Sequence, residues 1–319
     1  MFPFELKVVS IPLKNDFRAI KYREIALFQG PEGWSEFSPF LEYGSNESAI
    51  WLKAAIEAAT KPAPKPIRDL VEVNATLPNV KVEEVYSILQ RFQGCTTVKI
   101  KITDFLNDHL ILQEVLRAIP KAKIRLDING GWQLEETIAN LTNYEQEFPG
   151  QIDYVEQPCI DLADIKSLRG KVKLKIAVDE SIRKFLGSDL TKIKEVADIA
   201  IIKWAPSGGT NAAIEIIEKI KLPVVISSAI ESSVGISHGV ALASVVPNLY
   251  GACGLGTVAL LEGDVTSKPL IAEDGFIKHR KITPDLIEQF KAEPARQIWW
   301  QDRVNEVFDR GLILVIQLS

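Results

Sequence analysis

Five ionisable residues recur at nearly regular intervals through the middle of the chain, each ending a short run rich in β-branched residues. They are Lys101, Asp127, Glu156, Asp179 and Lys203, separated by 26, 29, 23 and 24 residues. Three carboxylates with no cysteine or histidine beside them form a hard oxygen donor set, which suits Mg2+, with Mn2+ as the alternative. A divalent cation there would bind a substrate carboxylate and stabilise the enediolate left after removal of an α-proton. A lysine on either side would act as the base, or as a cation opposite the developing charge. Singly, these residues have plainer readings. A Lys-x-Lys strand is more often a solvated face, and an Asp at a strand end is usually a cap or turn residue. Five in series are much harder to obtain that way.

Each interval is about the length of one strand plus one helix. Candidate strands lie at 70–74, 97–102, 123–127, 152–156, 173–179, 199–203, 224–227 and a shorter run at 249–254. Amphipathic stretches separate them, such as Val82, Val85, Leu89 and Phe92. Strand–helix alternation at this period implies a parallel sheet, and about eight units point to an α/β barrel with its site at the C-terminal mouth. A doubly wound open sheet is the main competitor, but no Gly-x-Gly-x-x-Gly follows the first strand. Because strand residues alternate faces, Lys99 and Lys101 oppose Val98, Ile100 and Ile102, while Arg125 and Asp127 oppose Ile124 and Leu126. Lys173, Lys175 and Asp179 likewise oppose Leu174, Ile176 and Val178. Polar groups facing inward must pair or bind something.

The first residues have a different texture. Strands at 25–29 and 34–37 flank Gly30-Pro31-Glu32-Gly33, a helix follows at 46–59 with Asn46 as its cap, and Lys61-Pro62-Ala63-Pro64-Lys65-Pro66 reads as a linker. The expected division is an α+β capping domain at 1–68, a barrel at 69–265, and a C-terminal segment at 266–319 packing back on the cap.

Composition excludes other classes. The net charge is −5 and both signs are scattered, so no basic patch offers a nucleic-acid surface. The apolar run at 312–316 is far too short to span a bilayer. Three sparse cysteines, Cys95, Cys159 and Cys253, fit a reducing cytoplasm. The expected partner is a small-molecule carboxylate, with no nucleic acid and no membrane; the oligomeric state is not legible. His109, His238 and His279 fall outside the series and read as structural. Cys159 reads as a buried thiol, and Trp299 and Trp300 as core or interface anchors.

At the spaced charges the chain resembles the enolase superfamily, and more closely its muconate-lactonizing subgroup, which has lysines on both sides of the metal. The carriers are Lys99-Ile100-Lys101, Asp127-Ile128-Asn129, Glu156-Gln157-Pro158, Asp179-Glu180-Ser181 and Lys203. Gly33-Trp34-Ser35-Glu36-Phe37-Ser38-Pro39, Arg125-Leu126-Asp127 and Ile226-Ser227-Ser228-Ala229-Ile230-Glu231-Ser232-Ser233 sharpen it towards the o-succinylbenzoate synthases. A lysine base beside a magnesium-stabilised enediolate is a known arrangement of that superfamily.

The resemblance implies a (β/α)7β-type modified TIM barrel with an N-terminal α+β capping domain. It implies that Asp127, Glu156 and Asp179 bind Mg2+, that Lys101 is base and then acid, and that Lys203 faces the opposite side of the substrate ring. Lys99 would support Lys101 by lowering its pKa. Arg125, Asn129, Ser227 and Ser228 would touch the substrate or support those that do. The cap loop from Asp16 to Arg23 and the segment around Ser38 would close the mouth. The implied reaction is syn dehydration of a succinyl-hydroxycyclohexadiene carboxylate, a step of menaquinone biosynthesis. The nearest alternative is an N-acylamino acid racemase or dipeptide epimerase. The absence of acidic residues from 248–261 counts against a cationic dipeptide. A non-catalytic metal-binding barrel is the alternative of a different class.

Overall fold

The computed structural model describes residues 1–17, 20–184 and 189–318. The first strands, β1 (Lys7–Phe17), β2 (Ile20–Gly30) and β3 (Gly33–Phe37), form an antiparallel sheet in that order. Their turn uses Gly33 at φ +136°, a conformation side chains resist. Helix α1 (Ser45–Thr60) lies on this sheet and buries Trp51, Leu52, Ala54, Ala55 and Ala59. Its N-cap is Gly44 with no side-chain cap bond, so the expected Asn46 cap is corrected.

After β4 (Leu70–Glu72) come seven parallel strands. They are β5 (Ala75–Leu77), β6 (Thr97–Lys101), β7 (Lys123–Asp127), β8 (Ile152–Glu156), β9 (Ile176–Val178), β10 (Ile199–Lys203) and β11 (Val224–Ser227), neighbours in chain order. Between them run α2 (Val85–Leu89), α3 (Phe105–Ala118), α4 (Leu134–Glu147), α5 (Leu162–Leu168), α6 (Glu180–Lys184), α7 (Ile193–Val196) and α8 (Thr210–Ile220). Helix α9 (Ser233–Val245) follows β11. The sheet closes through residues 249–254, which make parallel bridges Val224–Leu249 and Ser227–Gly254 on one side and Val73–Cys253 on the other. This closing run is the eighth stave of the barrel.

Two strand expectations are corrected. The first barrel strand is β5, because β4 pairs antiparallel with β12 (Phe276–Lys278), a partner distant in sequence. In the expected strand at 173–179, only β9 is regular strand.

The alternation along each strand sorts the core into two layers. Val98, Ile100, Ile124, Leu126, Ala200, Ile202, Val224 and Ile226 pack in the main core. Tyr154, Ala177, Ile199, Ile201 and Val225 form a separate cluster inside the barrel. Each of these inner residues but Ile199 sits two positions before a residue at or just past its strand's end, so an apolar floor lies beneath the mouth.

Finally α10 (Pro294–Leu318) packs against α1. Trp300 is fully buried, lies edge-on to Phe37 at 5.8 Å and donates from Nε1 to Glu24 at 2.7 Å. Arg296 pairs with the same Glu24 at 2.6 Å. Among the described residues no helix is long and apolar enough to cross a membrane.

Candidate active site

Register brings the spaced charges together. Lys101 pairs with Asp127 across β6 and β7, and Asp127 with Glu156 across β7 and β8. Asp179 follows β9 directly, and Lys203 ends β10 beside Ser227 of β11. Counting staves from β5, the carboxylates occupy the third, fourth and fifth of eight, and the lysines the second and sixth. The two ammonium groups therefore face each other across the mouth with the acids on one arc between them. Ser227, Gly254 and Thr76 line the opposite arc of the same cleft.

The acids are buried and already engaged. Glu156 is 1% exposed and Asp179 2%. Lys99 Nζ lies 2.9 Å from Asp127 Oδ2 and 3.0 Å from Glu156 Oε1. Lys203 Nζ donates to Asp179 Oδ2 at 2.5 Å, and Arg183 approaches Asp179 Oδ1 at 3.6 Å. Burial works against the Lys99 ammonium, but Asp127 and Glu156 overcome it and hold its pKa well above the ordinary value. One ammonium cannot neutralise two carboxylates: burial and the Asp127 charge push Glu156 up to about 8. Burial would likewise raise Asp179, yet Lys203 and Arg183 keep it low. Glu180 is raised by burial and then by Asp179.

No group of three acidic, histidine or cysteine side chains is drawn into a ready-made cage among the described residues. The donor set nevertheless fits a hard divalent cation. Asp127 Oδ1 and Glu180 Oε2 are buried without a hydrogen-bond partner, and the raised Glu156 and Glu180 mark negative charge that the lysines leave uncompensated.

The structure details one supporting residue and corrects another. Lys99 lines the cleft together with Lys101 and pairs with Asp127 and Glu156, so it supports two of the acids. Arg125 is not at the mouth. It is 1% exposed and ties the barrel shut, donating to Asp153 Oδ2 at 2.9 Å, Asn74 Oδ1 at 3.1 Å and the Ala252 carbonyl at 2.6 Å. Its guanidinium lies 4.7 Å over the Tyr154 ring of the barrel floor.

Asn129, Ser227 and Ser228 do line the cleft. Asn129, at φ +52°, accepts from Lys101 Nζ and donates to Glu180 Oε1 at 3.3 Å. Ser228 Oγ donates to the Gly254 carbonyl at 2.7 Å. Of the cap, Phe40 reaches the cleft, whereas Ser38 is 1% exposed and bonds Glu36. Arg18 and Ala19, within the expected closing loop, lie outside the described residues.

Sequence reasoning missed Glu180, Phe40, Thr76 and Thr257 in the cleft. Glu180 was legible from its place beside Asp179; the others carry no signal in spacing. Gln157 was also missed as a support: its Oε1 accepts from Asp179 N at 3.1 Å and Ser181 N at 3.2 Å, fixing the turn after β9. A larger cavity of about 220 Å³ lies between the cap and the outer helices, near Trp34 and His238, and contains none of the strand-end charges.

Residues 8–59 match the enolase N-terminal domain-like family and residues 83–284 the enolase C-terminal domain-like family. The o-succinylbenzoate synthase of Mycolicibacterium smegmatis is 40% identical over 306 residues, covering 94% of each chain. That of Mycobacterium leprae is 39% identical over 308 residues, covering 95% of this chain and 91% of its own. Among solved structures, a muconate lactonizing enzyme from Pseudomonas fluorescens in complex with muconolactone superposes with a TM-score of 0.75 at 18% identity, over 91% of this chain and 98% of that one. The L-Ala-D/L-Glu epimerase from Bacillus subtilis superposes with a TM-score of 0.72 at 23% identity, over 90% and 98%. These two likenesses are of fold, whereas the synthases match in sequence along nearly their whole length. The chain belongs to the o-succinylbenzoate synthases of the enolase superfamily.

Proposed function

We propose that the chain is a hydro-lyase that dehydrates 2-succinyl-6-hydroxy-2,4-cyclohexadiene-1-carboxylate to o-succinylbenzoate, with Lys101 as base and with Mg2+. The observation that carries the reading is the opposition of Lys101 and Lys203 across the mouth, with Asp127, Glu156 and Asp179 on the arc between them. Enzymes of this superfamily work with a divalent cation, and those three carboxylates would hold it. When bound, it neutralises the substrate carboxylate as that group gains enediolate charge.

Lys101 as the free amine takes the proton from the carbon bearing the carboxylate. The electrons of that C–H bond form the new ring double bond, and the C–O bond to the hydroxyl breaks. Lys101 then returns the proton to the departing oxygen, so water leaves from the face where the proton was removed. Asn129 receives a hydrogen bond from Lys101 and fixes its reach. Lys203, held by Asp179, places a positive charge against the other face of the ring. Phe40 and Ile230 narrow the cleft and limit water. In the division we propose, residues 1–68 cover the mouth, 69–265 carry the chemistry, and 266–319 brace the cap.

The test is an ultraviolet assay of ring aromatisation with Mg2+ and with chelator, for wild type and Lys101→Ala. Turnover that needs both the cation and Lys101 is the expected result. A folded, Mg2+-supplied protein without turnover overturns it, and racemisation of N-succinylamino acids is then the activity to assay.

A further inference from the structure

Arg23 lies on β2 of the cap and is only 2% exposed. Its Nε donates to the carbonyl of Ile230 at 3.1 Å, and one of its Nη atoms donates to the carbonyl of Ser38. The guanidinium also lies 4.6 Å over the ring of Phe40. Phe40 and Ile230 both line the cleft that contains Lys101, Asp127 and Lys203. One buried side chain therefore holds the cap wall and the barrel wall of the same cleft.

The backbone it holds is strained. Ile230 has φ +61°, and a β-branched residue persists there only where its surroundings over-determine it. Glu231 accepts from Ala229 N at 2.6 Å, and Ser228 Oγ is tied to the Gly254 carbonyl. From below, a Cβ at Gly235 would lie 2.5 Å from Glu231 Cβ and 3.0 Å from the Glu36 carboxyl carbon, so only glycine lets these two acids sit under the turn. Arg23 supplies the remaining restraint, on the strained residue's own carbonyl.

We propose that Arg23 is a positioning residue for this reaction: it fixes the cleft wall at Phe40 and Ile230, where the part of the substrate remote from the reacting carboxylate is seated. The inference rests on the dehydration reading for its substrate. The reacting groups stand on the opposite arc, at β6 to β10, and Arg23 touches none of them. Its loss frees Ile230 to leave the left-handed region and displaces the wall, which weakens substrate binding and leaves the proton transfer in place.

The experiment is a double-mutant cycle between Arg23→Met and Ile230→Gly, with KM, kcat and melting temperature measured for each. Glycine adopts the left-handed conformation without strain, so the turn keeps its shape more readily without Arg23. Arg23→Met is expected to raise KM about tenfold with little change in kcat, and to raise it clearly less when residue 230 is glycine. Arg23→Lys, which keeps the charge beside Glu36 and Glu231 but loses the fork, carries the same cycle if Arg23→Met does not fold. An equal rise of KM in both backgrounds, loss in kcat alone, or an unchanged KM overturns the proposal. If the wild type has no dehydratase activity, the activity reading fails by itself. Calorimetric binding of o-succinylbenzoate to the same variants then decides the role of Arg23 independently.

Discussion

The acid arc from β6 to β10 and the seam between cap and barrel are both built from buried charges, but by opposite means. In the arc, each functional side chain comes from the same point of a repeated strand, so spacing along the chain carries the geometry. At the seam, Arg23, Glu36 and Glu231 come from β2, β3 and the turn before α9, and meet only because the cap docks there. Glu36 accepts from Ser232 N at 3.1 Å and Gly235 N at 3.0 Å, capping α9 from another part of the chain. A periodic site can be read from sequence because the fold's own repeat indexes it, whereas a seam is a product of tertiary contact.

The largest effect that separates the two regions is expected at Lys101. Lys101→Ala should lower kcat about a thousandfold while leaving the melting temperature nearly unchanged, as for loss of a positioned base. A comparable drop in stability would make the arc structural, like the seam. Next comes Arg125, inside the barrel but below the site. Arg125→Met leaves the half-buried Asp153 without its cation and should destabilise the fold by about 3 kcal/mol in urea titrations, with KM little altered. A raised KM at unchanged stability would return Arg125 to the substrate site.

The smallest effect tests the seam by pH. Burial, then the neighbouring Glu231 carboxylate, push the Glu36 carboxyl up to about 7 from its ordinary 4.5. A carboxyl raised in the folded state stabilises it while protonated. That contribution is complete below about pH 4.5 and is lost as pH rises through about 7. Glu36→Gln should flatten this decline, on the order of 2 kcal/mol, in unfolding curves taken at several pH values across that window. An unchanged slope in the variant would show that Glu36 is not its source.

How far the sequence reached follows the same line. The barrel, the cap and the five strand-end charges were legible because strand alternation and the length of a βα unit are local properties. Depth was not. Arg125 shares a face with Asp127, but two residues along a strand is a rise of about 6.7 Å, enough to move a group from the mouth into the layer beneath. The pairing of β4 with β12, which displaced the first barrel strand to β5, joins segments some two hundred residues apart, and no local pattern announces it. The left-handed Ile230 was equally silent, since isoleucine is a residue type that argues against such a conformation.

The packing of α10 on the cap has a consequence for the order in which the molecule is made. Phe2 stacks edge-on with Phe308 at 5.6 Å, and its backbone nitrogen donates to Asn305 at 2.9 Å. The cap leaves the ribosome before α10, yet Glu24 waits for Trp300 and Arg296. A segment synthesised before the barrel is therefore completed after it, and a nascent chain halted before residue 294 has a cap with this buttress missing.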